Sequence, residues 1–230
     1  FPSNRLRDYM LTYLTNIDKI NTHIIPHVAH SMFFTPKESI KHEKLKLLHA
    51  GNVRYPRDPK NFLKALSQVV KSSGYENSIE CMFIGQFSDD FIKIVNDLDL
   101  ANIVSYKSGV SYNDIIETQK SFDMSLIIEA ICDEGIYLPT KVADSIQGGL
   151  PVFCVSPLKG TQHDLVDLYE IGYFADNTNI DDIYVKLITA IDDFRNHSLP
   201  IIAKDKVPYF FEEYADNKYK EIFDELLNNM

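Results

Sequence analysis

Long apolar runs, paired cysteines and basic charge are all scarce in these 230 residues, and each scarcity excludes something. No apolar stretch approaches the roughly 20 residues needed to cross a bilayer, and no cleavable leader is visible, so a cytoplasmic setting is expected. Three cysteines, Cys81, Cys132 and Cys154, make an odd count; Cys81 and Cys154 fall inside strand-like apolar runs, which reads as reduced core thiols instead of disulfides or a metal cluster. A net charge of −10 argues against a nucleic-acid partner, whose phosphates demand a basic face. The dinucleotide fingerprint GxGxxG is missing, and with it the expectation of hydride chemistry. The chain opens on Phe1 and not on Met, the mark of a trimmed sequence.

What is present describes an ordinary globular chain, 45% apolar and 24% charged, long enough for one large domain or two small ones. Its charge is uneven. Between residues 37 and 60, Lys37, Lys41, Lys44, Lys46, Arg54, Arg57 and Lys60 face only Glu38, Glu43 and Asp58, a net of +4 in an otherwise acidic chain. Such an island suits a small anionic ligand, although the lysines from 37 to 46 read as a solvated run and only Arg54 and Arg57 have informative surroundings.

The densest signal runs from Leu138 to Ser156, LPTKVADSIQGGLPVFCVS. Pro139 suits a first helical turn, Gly148 and Gly149 can end the helix with positive φ, and a buried strand follows at once. A helix opening on Leu-Pro-Thr-Lys gathers free backbone N–H groups, the positive end of the dipole, the Thr140 hydroxyl and the Lys141 ammonium in one volume, as a phosphate site requires. Asp144 lies one turn beyond Thr140 on the same face, where a carboxylate can accept the hydroxyls of a ribose. Phosphate and ribose together mean a nucleotide.

Apolar runs of strand type alternate with helical stretches along the chain: 44–50 then 61–73, 79–85 then 89–98, 103–106 then 112–122, 124–130 then 139–147, 151–156 then 163–171. A sixth short run at 173–176 precedes an amphipathic helix carrying Ile183, Leu187, Ile188 and Ile191. This series predicts an α/β, Rossmann-like, doubly wound parallel sheet of about six strands with helices on both faces. Ligands collect at the carboxyl ends of such strands, where strand order reverses. Three loops then matter. After the first strand, Gly51 allows close approach and Arg54 and Arg57 reach for a diphosphate; after the second comes Gly85; after the third, Gly109, Val110 and Ser111 can offer backbone to a base edge. The aromatics Tyr112, Tyr137 and those from Phe83 to Phe91 read as packing. His23, His27 and His30 lie in an extended segment without a supporting cysteine or carboxylate, so no metal site is expected.

The block Pro139, Thr140, Lys141, Asp144, Gly149, Pro151, Val152 resembles the donor-binding pattern P-[ST]-K-x-x-[DE]-x-x-x-x-G-x-P-V of group-1 glycosyltransferases of the GT-B type. The likeness extends over nearly the whole chain and implies the C-terminal, nucleotide-sugar-binding half of that fold. In the family a strand-end glycine is followed by a basic residue and, six positions on, by a lysine on the donor diphosphate; Gly51 matches, Arg57 takes the lysine place, and Asn52 departs, leaving Arg54 to substitute. Paired acids eight residues apart hold ribose and sugar there; Asp144 matches the ribose member, Ile136 stands where the other should be, and Asp133 or Glu134 is the replacement. Residues 1–14 resemble the last helix of the family's other domain, and 20–34 its interdomain segment, with Pro26-His27-Val28-Ala29-His30 lacking the usual Gly and Asp.

The resemblance therefore implies a remnant and linker at 1–44, a donor-binding domain at 45–207 and a C-terminal helix at 208–230 that packs toward a missing acceptor domain. It implies a UDP- or GDP-type sugar donor, hexosyl transfer to an alcohol with retention, no metal or other cofactor, and no turnover by this chain alone. Catalytic residues stay unassigned, and the missing domain could hold the protein at the inner face of a membrane. Two other readings stay open: a sugar-nucleotide epimerase of the same architecture, and a non-catalytic binding or assembly module.

Overall fold

The computed structural model describes residues 1–16, 20–36 and 42–228; Lys37, Glu38 and Lys41 of the basic island lie outside them. Six strands, β1 (Leu45–Ala50), β2 (Ile79–Ile84), β3 (Val104–Lys107), β4 (Met124–Ile128), β5 (Val152–Ser156) and β6 (Gly172–Asp176), form one sheet. Its order is β3-β2-β1-β4-β5-β6, and every pairing is parallel. The helices between and after them are α2 (Lys60–Lys71), α3 (Asp89–Asp97), α4 (Tyr112–Gln119), α5 (Thr140–Gln147), α6 (Thr161–Tyr169) and α7 (Ile180–Arg195). Before the sheet comes α1 (Asn4–Leu11), and α8 (Glu212–Asn228) follows it. The expected doubly wound α/β sheet is what forms.

Side-chain alternation explains the layers. Along β4, Met124, Leu126 and Ile128 point into a core shared with Phe62, Leu63 and Leu66 of α2, Phe91 of α3 and Ile183 and Leu187 of α7, while Ile127 points into the opposite core with Val142 and Ile146 of α5. Along β5, Phe153 and Val155 join the first core, and Val152 and Cys154 join the second. Period-two strands with apolar residues on both faces thus have helices on both sides. Leu48 of β1 contributes to a third, smaller cluster under α4 with Ile84 and Phe122. Cys81 and Cys154 are buried free thiols, as their strand context implies, and Cys132 is free and exposed on a loop.

The central β1 pairs with β2 on one side and with β4 on the other, so the chain leaves β1 toward one face and returns to β4 from the other. A crevice opens at that reversal, above the carboxyl ends of β1 and β4. Helix α5 begins at its lip. Pro139 is the cap just before the helix and not part of its first turn, and at the far end Gly148 keeps φ −77° while Gly149 alone turns positive, at 66°.

The aromatic centre of the first core carries much of the stability. Phe153 is fully buried, with its ring 6.5 Å from Phe62 and 6.2 Å from Tyr173. Phe153→Ala should cost about 3–5 kcal/mol in chemical denaturation. Leu168, 69% exposed, should lose under about 0.5 kcal/mol on replacement by Ala. Equal losses would show that the core is not organised around this sheet.

Candidate functional site

A glycine follows the carboxyl end of β1, beside the crevice, and another follows β2 next to it. Gly51 follows β1 with φ +154°, and its N–H donates to the Ile84 carbonyl at 2.7 Å. A Cβ on Gly51 would collide with Cε and Nζ of Lys141, and one on Gly85 would collide with the Gly51 carbonyl. The first collision places the Lys141 ammonium directly over the end of β1, although 90 residues separate the two positions. That is the pairing the sequence motifs implied.

Beyond Gly51 the loop divides its side chains. The Asn52 carboxamide accepts the Gln86 N–H at 3.1 Å, and the Val53 N–H donates to the Gln86 carbonyl at 2.9 Å, so residues 52 and 53 tie this loop to the one after β2. Arg54 leans the same way, Nη1 donating to Gln86 Oε1 at 3.3 Å. Arg57 turns back to the crevice, and its Nε lies 3.4 Å from Glu129 Oε1 at the end of β4. Of the two expected arginines, Arg57 therefore joins Lys141, and Arg54 stands against the neighbouring loop.

The electrostatics follow from the grouping. Burial pulls the Lys141 pKa below the ordinary lysine value, the Arg57 charge pulls it further, and Glu129 and Asp144 act in the opposite direction. Lys141 and Arg57 stand with the carboxylates of Glu129 and Asp144 in a partly desolvated crevice, and an anion entering beside Lys141 would offset the burial of its ammonium. Thr140, first residue of α5, is exposed at the same helix start. Beneath them His49 is fully buried; its Nδ1 lies 2.9 Å from the Leu126 carbonyl, Nε2 has no partner among the described residues, and burial beside Lys141 and Arg57 lowers its pKa to about 3.

Asp144 lies one turn into α5, half-buried, with its pKa raised by burial. The Tyr112 hydroxyl donates to its Oδ1 at 3.0 Å, so Tyr112, 51% exposed, is no packing residue. Tyr137, 64% exposed, departs from the packing expectation in the same way, while Phe83 and Phe91 keep to it. Ser111 spends its hydroxyl capping α4, accepting the Asp114 N–H at 3.2 Å; Val110 beside it is exposed. Asp133 is exposed. Glu134 is held between Lys159 and Arg5, both at 2.6 Å, and these cations depress its pKa.

Beside Glu129 a cleft of about 440 Å³ opens between the 130–137 loop and the ends of β5 and α6. Ser156 and Gln162 line it, and each has a buried oxygen, Oγ and Oε1, with no partner among the described residues. Sequence reasoning missed Glu129, Tyr112 and His49. Glu129 did carry a signal, an acid placed immediately after the strand-like run 124–128, in which Ser125 is the one polar residue, at a strand's carboxyl end. Tyr112 carried none, because its partner lies 32 residues away.

The family described as glycosyl transferases group 1 matches residues 32–206. None of the curated proteins compared with the chain matches it. Among solved structures, a glycosyltransferase from Rickettsia africae superposes with TM-score 0.77 at 15% identity, over 100% of this chain and 63% of that one. Sucrose-phosphate synthase from Thermosynechococcus elongatus gives TM-score 0.70 at 10% identity, over 98% of this chain and 57% of that one. The C-terminal domain of a glycosyl transferase group 1 protein from Francisella tularensis gives 0.54 at 16% identity, over 72% of this chain and 83% of that one. At such identities these likenesses show the fold alone. The chain thus spans less than two thirds of the first two structures and nearly matches the isolated C-terminal domain in length.

His49 gives the site a pH signature. Its folded pKa, about 3, lies below the unfolded value, so its contribution to stability is complete above about pH 6.5 and is lost as pH falls from there toward 3. Urea titrations should show this group costing about 1.4 kcal/mol per pH unit between pH 6 and 4. His49→Gln, which keeps a donor for the Leu126 carbonyl, should flatten that slope; an unchanged slope would mean that His49 does not titrate on unfolding.

Proposed function

Because the chain belongs to the glycosyl transferases of group 1, we propose that it is the donor-binding half of a GT-B enzyme that moves a hexose from a nucleoside diphosphate to an alcohol with retention. The observation that carries this reading is the convergence of Gly51, Lys141 and Arg57 at the point where strand order reverses. The diphosphate lies across the N-terminus of α5, against Thr140, Lys141 and Arg57. Gly51 supplies close backbone approach. Asp144 takes the ribose, and the base of a UDP- or GDP-type donor rests over Gly109, Val110 and Ser111.

The transferred sugar extends past Glu129 into the adjoining cleft, toward Asp133 and Glu134. Unpartnered oxygens on Ser156 and Gln162 offer acceptors there for sugar hydroxyls. Departure of the diphosphate builds up negative charge, and fixed cations with a helix dipole stabilise it without needing a metal. Acceptor binding and the catalytic residues belong to a partner domain, so this chain alone holds donor without transferring it. Its parts are then a remnant and linker over 1–44, the donor domain over 45–207 and a returning helix over 208–230. No helix among the described residues is long and apolar enough to cross a membrane. A cytoplasmic protein, attached to the inner membrane face through the missing domain, fits the same reading.

A thermal-shift panel of UDP, GDP and ADP tests it. A nucleotide at a hundred times its dissociation constant should stabilise the chain by about 2.7 kcal/mol. By calorimetry, Arg57→Ala and Lys141→Ala should each weaken that nucleotide about 10- to 100-fold, because each removes a charge-assisted contact. Arg54→Ala, whose guanidinium stands on Gln86, should change affinity less than about threefold. Absence of any shift at millimolar nucleotide, or indifference to both Arg57→Ala and Lys141→Ala, would overturn the donor site and favour an assembly module.

A further inference from the structure

The ribose carboxylate is not left to itself. Gln147, 2% exposed at the end of α5, accepts the His30 N–H on Oε1 at 2.9 Å, and this bond fixes which way its amide faces. Its Nε2 therefore points at Tyr112 and donates to the phenol oxygen at 3.2 Å. A phenol has one proton, and with Gln147 supplying a donor to its oxygen, that proton goes to Asp144 Oδ1 at 3.0 Å. The direction of every bond in the chain from His30 through Gln147 and Tyr112 to Asp144 is thus set by a backbone N–H at one end. Tyr112 stands at the first position of α4, next to the 109–111 loop, with half its surface in solvent. Nothing about packing requires its hydroxyl to face α5.

We propose that Tyr112 is a positioning residue for nucleotide binding: its phenol holds Asp144 through Oδ1, fixes the carboxylate plane and leaves Oδ2 to take a ribose hydroxyl. The assignment rests on the reading of Asp144 as the ribose acceptor. It makes recognition of the nucleoside depend on α4 as well as on α5, and links both to the backbone of the segment before the sheet. Three groups face the Asp144 carboxylate and favour its charged form: Tyr112 from α4, Lys141 from its own helix and His27 from the N-terminal segment. Burial opposes them. Loss of the phenol hydroxyl should therefore raise the pH at which Asp144 ionises, an effect that a mere packing defect would not produce.

The test uses the full chain with Tyr112→Phe and Asp144→Ala, carbon-13 carboxyl NMR without ligand, and calorimetry with UDP, GDP and inorganic pyrophosphate. Tyr112→Phe should move the Asp144 midpoint upward and weaken the tighter-binding nucleotide about 3- to 10-fold, leaving pyrophosphate unchanged because its partners are Lys141 and Arg57. The nucleotide affinity of Tyr112→Phe should also begin to fall at a higher pH than wild type as the solution is acidified. An unmoved midpoint, or equal losses for nucleotide and pyrophosphate, overturns the positioning role. If Asp144→Ala weakens the nucleotide and Tyr112→Phe does not, Tyr112 alone is misassigned. If Asp144→Ala also leaves the nucleotide unaffected, or neither nucleotide binds, the ribose site itself is wrong and the inference falls with it.

Discussion

The close approach of Lys141 to Gly51 is the constraint on which the rest of this site depends. Helix α5 must start where β1 ends, and only a residue without a side chain at position 51 leaves room for the ammonium. That proximity follows from topology. Because β1 is flanked by β2 and β4, the loop leaving β1 and the helix following β4 meet over one crevice, with 90 residues of chain folded between them. The second glycine, Gly85, lets the neighbouring loop pass against the Gly51 carbonyl, so the floor of the crevice is backbone and its rim is charge.

The charges around that crevice are mixed. Lys141 and Arg57 stand with the carboxylates of Glu129 and Asp144, and His49 below them is kept neutral by burial. Burial of the Lys141 ammonium opposes its charged form in the free protein. The protein as a whole is acidic, at −10, so this pair of cations is set against its surroundings.

Most of the architecture was legible in the sequence because it rests on periodicity. Strand runs with apolar residues on both faces required cover on both sides, and helices of 3.6 period supplied it. The start of α5 was legible too, since proline and lysine at a helix start are local signals. What escaped is what depends on pairing across the fold. Nothing at Tyr112 announces Asp144, and nothing at Glu134 announces Arg5 and Lys159, which together occupy a carboxylate that spacing alone would have offered to a sugar. Arg54 and Arg57 looked equivalent in sequence. The fold separates them by turning one toward Gln86 and the other toward Glu129.

The segment before the sheet illustrates how a departure from the expected pattern can be accommodated. Pro26-His27-Val28-Ala29-His30 lacks the glycine and aspartate of the interdomain signature it resembles, yet it is closely docked. Ala29 N–H donates to the Phe210 carbonyl at 2.6 Å, His30 N–H to Gln147 at 2.9 Å and Ser31 N–H to Glu212 at 2.9 Å. Three consecutive residues are thus anchored to three different elements through main-chain donors, which any residue but proline provides. Side-chain identity is then free to vary wherever the path of the backbone is kept, apart from Ala29, whose complete burial limits its size. The same main-chain contact that docks the segment also orients Gln147. A change in the path of this segment is therefore a change in the hydrogen bonds that reach Asp144, and the geometry of the crevice is coupled to whatever the segment is attached to.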